Sequence, residues 1–242
     1  MSLLPLAGRT ALVTGGGRGL GAALCEALAV GGARVVVADV EGERAEAQAR
    51  SLRDQRFDAR AVALDVADAS RVAACIDGIV ADGGLDILIN NAGVDYTRPV
   101  DELEIGQWDH VLATNLRGPF LLCRLAARHM KRRGGGQIVN IASTAAKRAW
   151  PNAAAYHASK WGLLGFSHAL HAELRPHGIR VTAVIVGGMR TAFLLDRFPD
   201  IDQRCLQEPG NVAAAVLATL LLPAASVVPE ISVLPLGETS WP

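Results

Sequence analysis

Thr10-Ala11-Leu12-Val13-Thr14-Gly15-Gly16-Gly17-Arg18-Gly19-Leu20-Gly21-Ala22-Ala23-Leu24-Cys25-Glu26-Ala27-Leu28-Ala29 carries an apolar run, a glycine cluster and a helical pattern in immediate succession. Strand, glycine turn and helix in that order is the context in which a glycine motif has meaning. Glycines let the backbone approach a pyrophosphate closely, and the N-terminus of the following helix adds N–H donors and positive potential. The spacing is Gly15-x-x-x-Gly19-x-Gly21, so it does not match the ordinary Gly-x-Gly-x-x-Gly dinucleotide fingerprint. A glycine-rich tight turn without a ligand is the plainer reading of the same letters.

The chain on either side repeats the alternation. Ala33-Arg34-Val35-Val36-Val37-Ala38 is β-branched and closes on Asp39, which predicts a second strand. A charged helical segment over 43–53 follows, then a strand over Arg60–Leu64 that runs into Asp65-Val66. An amphipathic helix is expected over 71–80 and a fourth strand over Leu85–Ile89, entering Asn90-Asn91-Ala92-Gly93. Helical periodicity runs from Asp101 through Asn115 to Met130, and Gly134-Gly135-Gly136 ends it. Gln137–Ala142 predicts a fifth strand, with Ser143 at its end. A helix over 154–175 stops at Pro176-His177-Gly178, and Ile179–Val186 predicts the sixth strand. Residues 187–207 are irregular; a last helix over 211–222 and a last strand over Glu230–Leu234 complete the chain. No repeat or linker interrupts it. The expected fold class is α/β, a doubly wound parallel sheet of about seven strands, Rossmann-type, as one domain over 1–242.

In such sheets ligands bind beyond the carboxyl ends of the strands. Thr14, Asp39, Asp65, Asn90 and Ser143 all fall at strand ends, so they share one edge. Asp39 stands about twenty residues past the glycine turn, where an acid can bond adenosine ribose hydroxyls and repel a 2′-phosphate. That favours NAD over NADP. Arg18 in the glycine loop argues the other way, and the direct clash at Asp39 is given more weight. Asp65 either accepts from an adenine amino group or caps the next helix. Asn115 is a polar misfit in an apolar helix, so it is either a satisfied core amide or a functional group.

Tyr156 and Lys160 lie one helical turn apart, which puts them on one face. An ammonium beside a phenol favours the phenolate and makes the tyrosine a candidate proton donor or acceptor. Spacing alone would equally describe a half-buried ring beside a solvated lysine.

Composition sets limits. Half the residues are hydrophobic and 20% are charged, which suits a well-cored globular chain. The formal net charge is zero, so no global field draws in nucleic acid or an anionic membrane. Cys25, Cys75, Cys123 and Cys205 show no C-x-x-C spacing and read as reduced thiols, neither a disulfide framework nor a metal site. The N-terminus has no signal-peptide pattern, and no apolar run reaches the ~18 residues that span a bilayer. A cytoplasmic location is expected.

Taken together, these motifs resemble the classical short-chain dehydrogenase/reductase family over nearly the whole chain. Thr14-Gly15-x-x-x-Gly19-x-Gly21 is similar to that family's cofactor loop and Asn90-Asn91-Ala92-Gly93 to its sheet-stabilising turn. Asn115, Ser143 and Tyr156-x-x-x-Lys160 resemble its catalytic tetrad in order and interval. The resemblance implies hydride transfer between a nicotinamide and a carbonyl or secondary alcohol. In it Tyr156 is the acid–base group and Ser143 orients the substrate oxygen. Lys160 lowers the tyrosine pKa and binds the ribose, and Asn115 supports a proton relay. Cofactor contacts are implied at Gly15, Gly17, Arg18, Gly19, Leu20, Gly21, Asp39, Asp65, Val66, Asn91, Ala92, Gly93, Tyr156, Lys160, Val186, Gly188 and Thr191. No metal is implied.

Two departures stand out. The family's usual Pro-Gly after the sixth strand is replaced by Val186-Gly187-Gly188-Met189-Arg190-Thr191, and the chain ends in Glu238-Thr239-Ser240-Trp241-Pro242 without a glycine-rich close. The helices around 112–130 and 156–174 still offer apolar faces for a homodimer or homotetramer. Residues 187–207 are expected to form a lid, with Phe193, Leu194, Leu195 and Phe198 as its apolar cover. Asp95, Tyr96, Trp150 and Pro151 either line the pocket or pack as ordinary loop. Arg190 meets an anionic substrate or is a surface arginine. A non-catalytic dinucleotide-binding regulator is the competing function.

Overall fold

Residues 4–238 are described in the computed structural model. The chain alternates β1 (Thr10–Thr14), α1 (Gly19–Val30), β2 (Arg34–Asp39), α2 (Gly42–Asp54), β3 (Ala59–Ala63), α3 (Ala69–Ala81) and β4 (Ile87–Asn90). It continues through α4 (Ile105–Leu112), a π-helical turn (Ala113–Arg117), α5 (Gly118–Arg133), β5 (Gly136–Ile141), α6 (Ala154–Leu174), β6 (Ile179–Val186), α7 (Ala192–Leu195), α8 (Pro209–Leu220) and β7 (Glu230–Val233). The strands form one seven-stranded sheet, β3-β2-β1-β4-β5-β6-β7, parallel at every pairing. The doubly wound, Rossmann-type fold expected from the alternation is present. Strand order reverses between β1 and β4, and a crevice opens there at the carboxyl edge.

Both sheet faces are covered, so the strands are apolar without alternation. In β1, Ala11 and Val13 pack into the layer that also holds Leu24, Leu28 and Val216, while Leu12 points into the opposite layer with Ile76, Leu122 and Met130. Burial on both sides packs the central strands, and Thr14, Asp39 and Asn90 stand at their carboxyl ends, with Ser143 just past the end of β5.

The 101–130 segment differs from the single long helix expected. Its first helix starts at Ile105, where Glu104 and Gln107 form a reciprocal capping box. A π turn then interrupts it over Ala113–Arg117, with Asn115 at its centre. α5 ends on Gly134, whose φ of 80° is the left-handed conformation that stops a helix. Segment 187–207 is only partly irregular: α7 lies within it, and a bridge from Met189 to Gln207 ties its ends together. The closing residues 239–242, noted above for lacking glycine, lie outside the described residues. No helix is long and apolar enough to cross a membrane among the described residues.

Candidate active site

The glycine loop is fixed by the turn after β4. Thr14 Oγ1 accepts from the backbone N–H of Asn91 and Ala92 at 3.1 and 3.2 Å. Asn91 Nδ2 donates back to the carbonyls of Thr14 and Gly15 at 3.0 and 3.1 Å. A side chain at Gly15 would meet Ala92 Cα at 2.9 Å, and one at Gly21 would run into the Gly15 carbonyl. Gly15 and Gly19 also adopt φ of 61° and 54°. α1 begins after Arg18, its N-cap, which makes no side-chain cap bond among the described residues, and the first-turn residues Gly19, Leu20 and Gly21 line the crevice. A close-approach backbone and uncapped donors are what a pyrophosphate needs, so the residues present fit a dinucleotide.

Asp39 ends β2, 8% exposed, with Oδ2 accepting from Gly17 N–H at 3.0 Å and Oδ1 from Glu41 N–H at 3.1 Å. Its charge is thereby held against the glycine loop. Of the two readings of Asp65, capping fails: α3 is capped by Asp68, which accepts from Ser70 and Arg71 N–H. Asp65 instead accepts from Ala67 N–H at 2.9 Å and lines the crevice.

At the other end of the crevice, β5 and α6 meet. Lys160 is 4% exposed, and its Nζ donates to the Ile141 carbonyl at 2.8 Å. The ammonium lies 5.6 Å from the Tyr156 ring centroid. Ser143 Oγ accepts from Ala145 N–H at 3.1 Å and hydrogen-bonds the Tyr156 side chain. Burial pushes the Tyr156 phenol up to about 12, against the Ser143 hydrogen bond that lowers it. Burial also draws Lys160 down to about 8, opposed by the charge of Asp95. Burial is the largest influence on this phenol, and the Ser143 hydrogen bond is the largest that opposes it.

Asn115 is fully buried and fully bonded. Its Oδ1 accepts from Val94 N–H at 2.8 Å, and its Nδ2 donates to the Val94 carbonyl at 2.8 Å and to Ser159 Oγ at 3.1 Å. It sits behind the cavity wall rather than on it.

One cavity of about 410 Å³ runs through these groups. It brings together Gly15, Arg18, Gly19, Leu20, Gly21, Asp39, Asp65, Val66, Asn91, Ala92, Gly93, Ser143, Tyr156, Lys160, Val186, Gly188 and Thr191. Gly17 and Asn115 are not on its wall; Gly17 lies beneath Asp39 and Arg44. Asp95, Trp150, Phe193, Leu194 and Phe198 line it, whereas Tyr96, Pro151 and Leu195 do not. Tyr96 instead pairs with His110 Nδ1 at 2.8 Å. Arg190 is bound to Glu208 at 2.6 Å, outside the cavity. Trp150 is held by His157, whose Nε2 accepts from Trp150 N–H at 3.1 Å while Nδ1 meets the Ala145 carbonyl at 2.9 Å.

Sequence reasoning passed over Arg44, Val94, His110, Thr144, Met189 and Arg197, which also line the cavity. Thr144 could have been found beside Ser143. Arg197 carries no local signal, because its partner Asp95 is 102 residues away.

A family model described as short chain dehydrogenase matches residues 9–202. The chain belongs to that family and is an oxidoreductase of it. It is 46% identical over 180 residues to the D-threitol dehydrogenase of Mycolicibacterium smegmatis, covering 74% of this chain and 69% of that one. It is 36% identical over 217 residues to a 3-alpha-(or 20-beta)-hydroxysteroid dehydrogenase of Mycobacterium tuberculosis, covering 88% and 82%. Among solved structures it is similar to a gluconate 5-dehydrogenase from Burkholderia cenocepacia in complex with NADP and tartrate. That likeness has a TM-score of 0.88 and 33% identity, over 98% of this chain and 97% of the other.

Proposed function

We propose that this chain oxidises a secondary alcohol of a small, partly apolar substrate, or reduces the matching carbonyl, with NAD preferred over NADP. The observation that carries the reading is convergence: Ser143, Tyr156 and Lys160 share one cavity with the glycine loop. The bound dinucleotide supplies or takes the hydride; the side chains bind, orient and move the proton.

Tyr156 gives its proton to the substrate oxygen in reduction and takes it in oxidation. Ser143 Oγ hydrogen-bonds the same oxygen and holds it on the tyrosine side. Lys160, anchored to Ile141, would hold the ribose of a bound dinucleotide and favours the phenolate as the proton leaves. A Cβ placed on Gly93 would lie 3.5 Å from Asn115 Oδ1 and 3.8 Å from Lys160 Nζ. A water beside Gly93 would thus connect Lys160 outward, and Asn115 supports that relay by fixing Val94.

NAD preference rests on Asp39, whose fixed carboxylate would repel a 2′-phosphate at the end of β2. The NADP in the Burkholderia structure bears in the other direction, so both cofactors belong in the assay. Phe120 and Trp161 are 46% and 51% exposed on the α5–α6 side, which supports a homodimer or homotetramer through that face. Free cysteines fit a cytoplasmic location.

The test is Tyr156→Phe. A positioned acid–base group contributes on the order of 10²–10⁴ in rate, so kcat should fall by at least about 100-fold with dinucleotide affinity kept. Unchanged kcat would remove Tyr156 from the mechanism. Dinucleotide binding by the wild type without turnover on any alcohol or ketone would instead establish a regulator. Its relatives carry the names of a polyol, a sugar acid and a steroid enzyme, so the pocket's own side chains must choose the substrate class.

A further inference from the structure

Beyond Tyr156 the cavity is walled by Val94, Trp150, Phe193, Leu194 and Phe198, and one ion pair interrupts that apolar surface. Arg197 NH1 donates to Asp95 Oδ2 at 3.0 Å, with side-chain exposures of only 21% and 7%. Asp95 comes from the turn after β4, and Arg197 from just beyond α7. Arg197 Cζ stacks 3.7 Å from the Phe193 ring centroid, and that ring lies 6.0 Å from the ring of Tyr156. The pair therefore stands one aromatic ring away from the reacting hydroxyl. The Tyr96 N–H lies near enough to stabilise the Asp95 carboxylate, yet Oδ1 is buried with no donor at hydrogen-bond geometry among the described residues.

We infer that the Asp95–Arg197 pair is the specificity device of the site, selecting an uncharged polyhydroxylated substrate over both sugar acids and plain apolar alcohols. The inference rests on the oxidoreductase reading above and names its substrate class. Three physical points carry it. A hydroxyl is both donor and acceptor, so it can satisfy the carboxylate and the guanidinium together. The bond to Asp95 uses one guanidinium N–H and leaves others to donate to a hydroxyl oxygen. A hydrocarbon laid over a nearly dehydrated ion pair would strip its remaining water and return nothing.

A substrate carboxylate fares no better. Arg197 is already neutralised, and an acid approaching it meets the Asp95 charge. Arg190 does not substitute, because it is paired with Glu208 away from the cavity, and Lys160 lies at the tyrosine end, held to the Ile141 carbonyl. The faces of Trp150 and Phe193 suit the C–H faces of a short polyol chain, whose hydroxyls then point along the rim to the pair.

The experiment compares kcat/KM of the full-length protein for threitol, threonate and 2-butanol, each with both cofactors. The wild type should prefer threitol by about tenfold or more over each of the others, the scale of a hydrogen bond to a charged group. Asp95→Asn frees the guanidinium and should raise the threonate-to-threitol ratio by about tenfold or more. Arg197→Met should lower the threitol-to-2-butanol ratio by a similar factor and leave threonate poorer still. Ratios within one variant cancel losses in folded or active protein. Equal use of threitol and threonate by the wild type, or a ratio that Asp95→Asn does not move, overturns the inference while the dehydrogenase reading stands. Silence on all three, with turnover on other alcohols or ketones, likewise overturns the inference alone, whereas dinucleotide binding without turnover on any alcohol or ketone removes the dehydrogenase reading and the inference with it.

Discussion

Replacing Lys160 by Met should change how stability depends on pH, with a sign and size that follow from burial. In the folded chain burial draws the ammonium down to about 8 from an ordinary 10.5. Between those values the unfolded chain holds a proton that the folded chain has released, so stability rises with pH across the window. Below the folded value both states are charged and the full cost of burying the ammonium is present. Integrated from about pH 7 to about pH 9.5, the lysine's contribution to unfolding free energy should rise by roughly 2 kcal/mol. That corresponds to roughly 4–8 °C in midpoint for a chain of this size. The buried thiols Cys25 and Cys123, which burial pushes upward, erode stability at alkaline pH, but they do so in both proteins. The measured quantity is therefore the wild-type minus Lys160→Met difference, read from denaturant unfolding at several pH values below the tyrosine range. It should grow more positive with pH. Parallel curves would mean that Lys160 is solvated, and a difference of opposite sign would mean that an opposite charge holds it protonated.

Gly21→Ala places a methyl group against the Gly15 carbonyl, so dinucleotide affinity should fall at least about tenfold, with roughly 1–3 kcal/mol lost in stability. Titration by NADH fluorescence checks this, and wild-type affinity would show that the loop relaxes. Asp39→Asn keeps an acceptor for Gly17 N–H but removes the charge. The NADPH-to-NADH affinity ratio should rise by about tenfold or more, an effect on the scale of a like-charge contact near the surface. An unmoved ratio would refute the argument for NAD. Asn115→Leu removes the partner of both the half-buried Val94 N–H and its carbonyl, and should cost roughly 1–3 kcal/mol in urea unfolding. Lost turnover with full stability would place the side chain in the proton path instead.

The sheet and most of the site were readable because they depend on local sequence. A glycine where a Cβ would strike backbone, an Asn-Asn turn at a strand end and a Tyr–Lys pair one turn apart each announce themselves over a few letters. The π turn around Asn115 did not, since apolar and polar residues on either side of it both read as helix and the switch in backbone bonding leaves no residue type of its own. Asp65 reads from the sequence as a possible cap of the next helix, but α3 starts at Ala69. Asp68 caps it because its carboxylate meets the N–H groups of Ser70 and Arg71, which only the backbone path decides. Asp95 and Arg197 are ordinary loop residues until the fold closes the 102 positions between them. The burial that pushes the Tyr156 phenol up was also hidden, because it comes from the whole tertiary environment.

That hidden term changes what the Tyr156–Lys160 spacing means. Burial disfavours charge on both groups, so one-turn spacing on a helix does not by itself make a proton-transfer site. β5 supplies the correction. Its end presents the Ile141 carbonyl to Lys160 and, two residues on, the Ser143 hydroxyl to Tyr156. Ser143 pulls the phenol down, and the Ile141 carbonyl holds the amine where its proton would favour the phenolate. These contacts come from one short stretch in extended backbone and are aligned by the β4–β5–β6 register. The proposed proton-transfer unit is therefore the junction of a strand end with a helix. A variant that keeps Tyr156 and Lys160 but displaces the turn after β5 should lose catalysis as fully as one that removes the tyrosine.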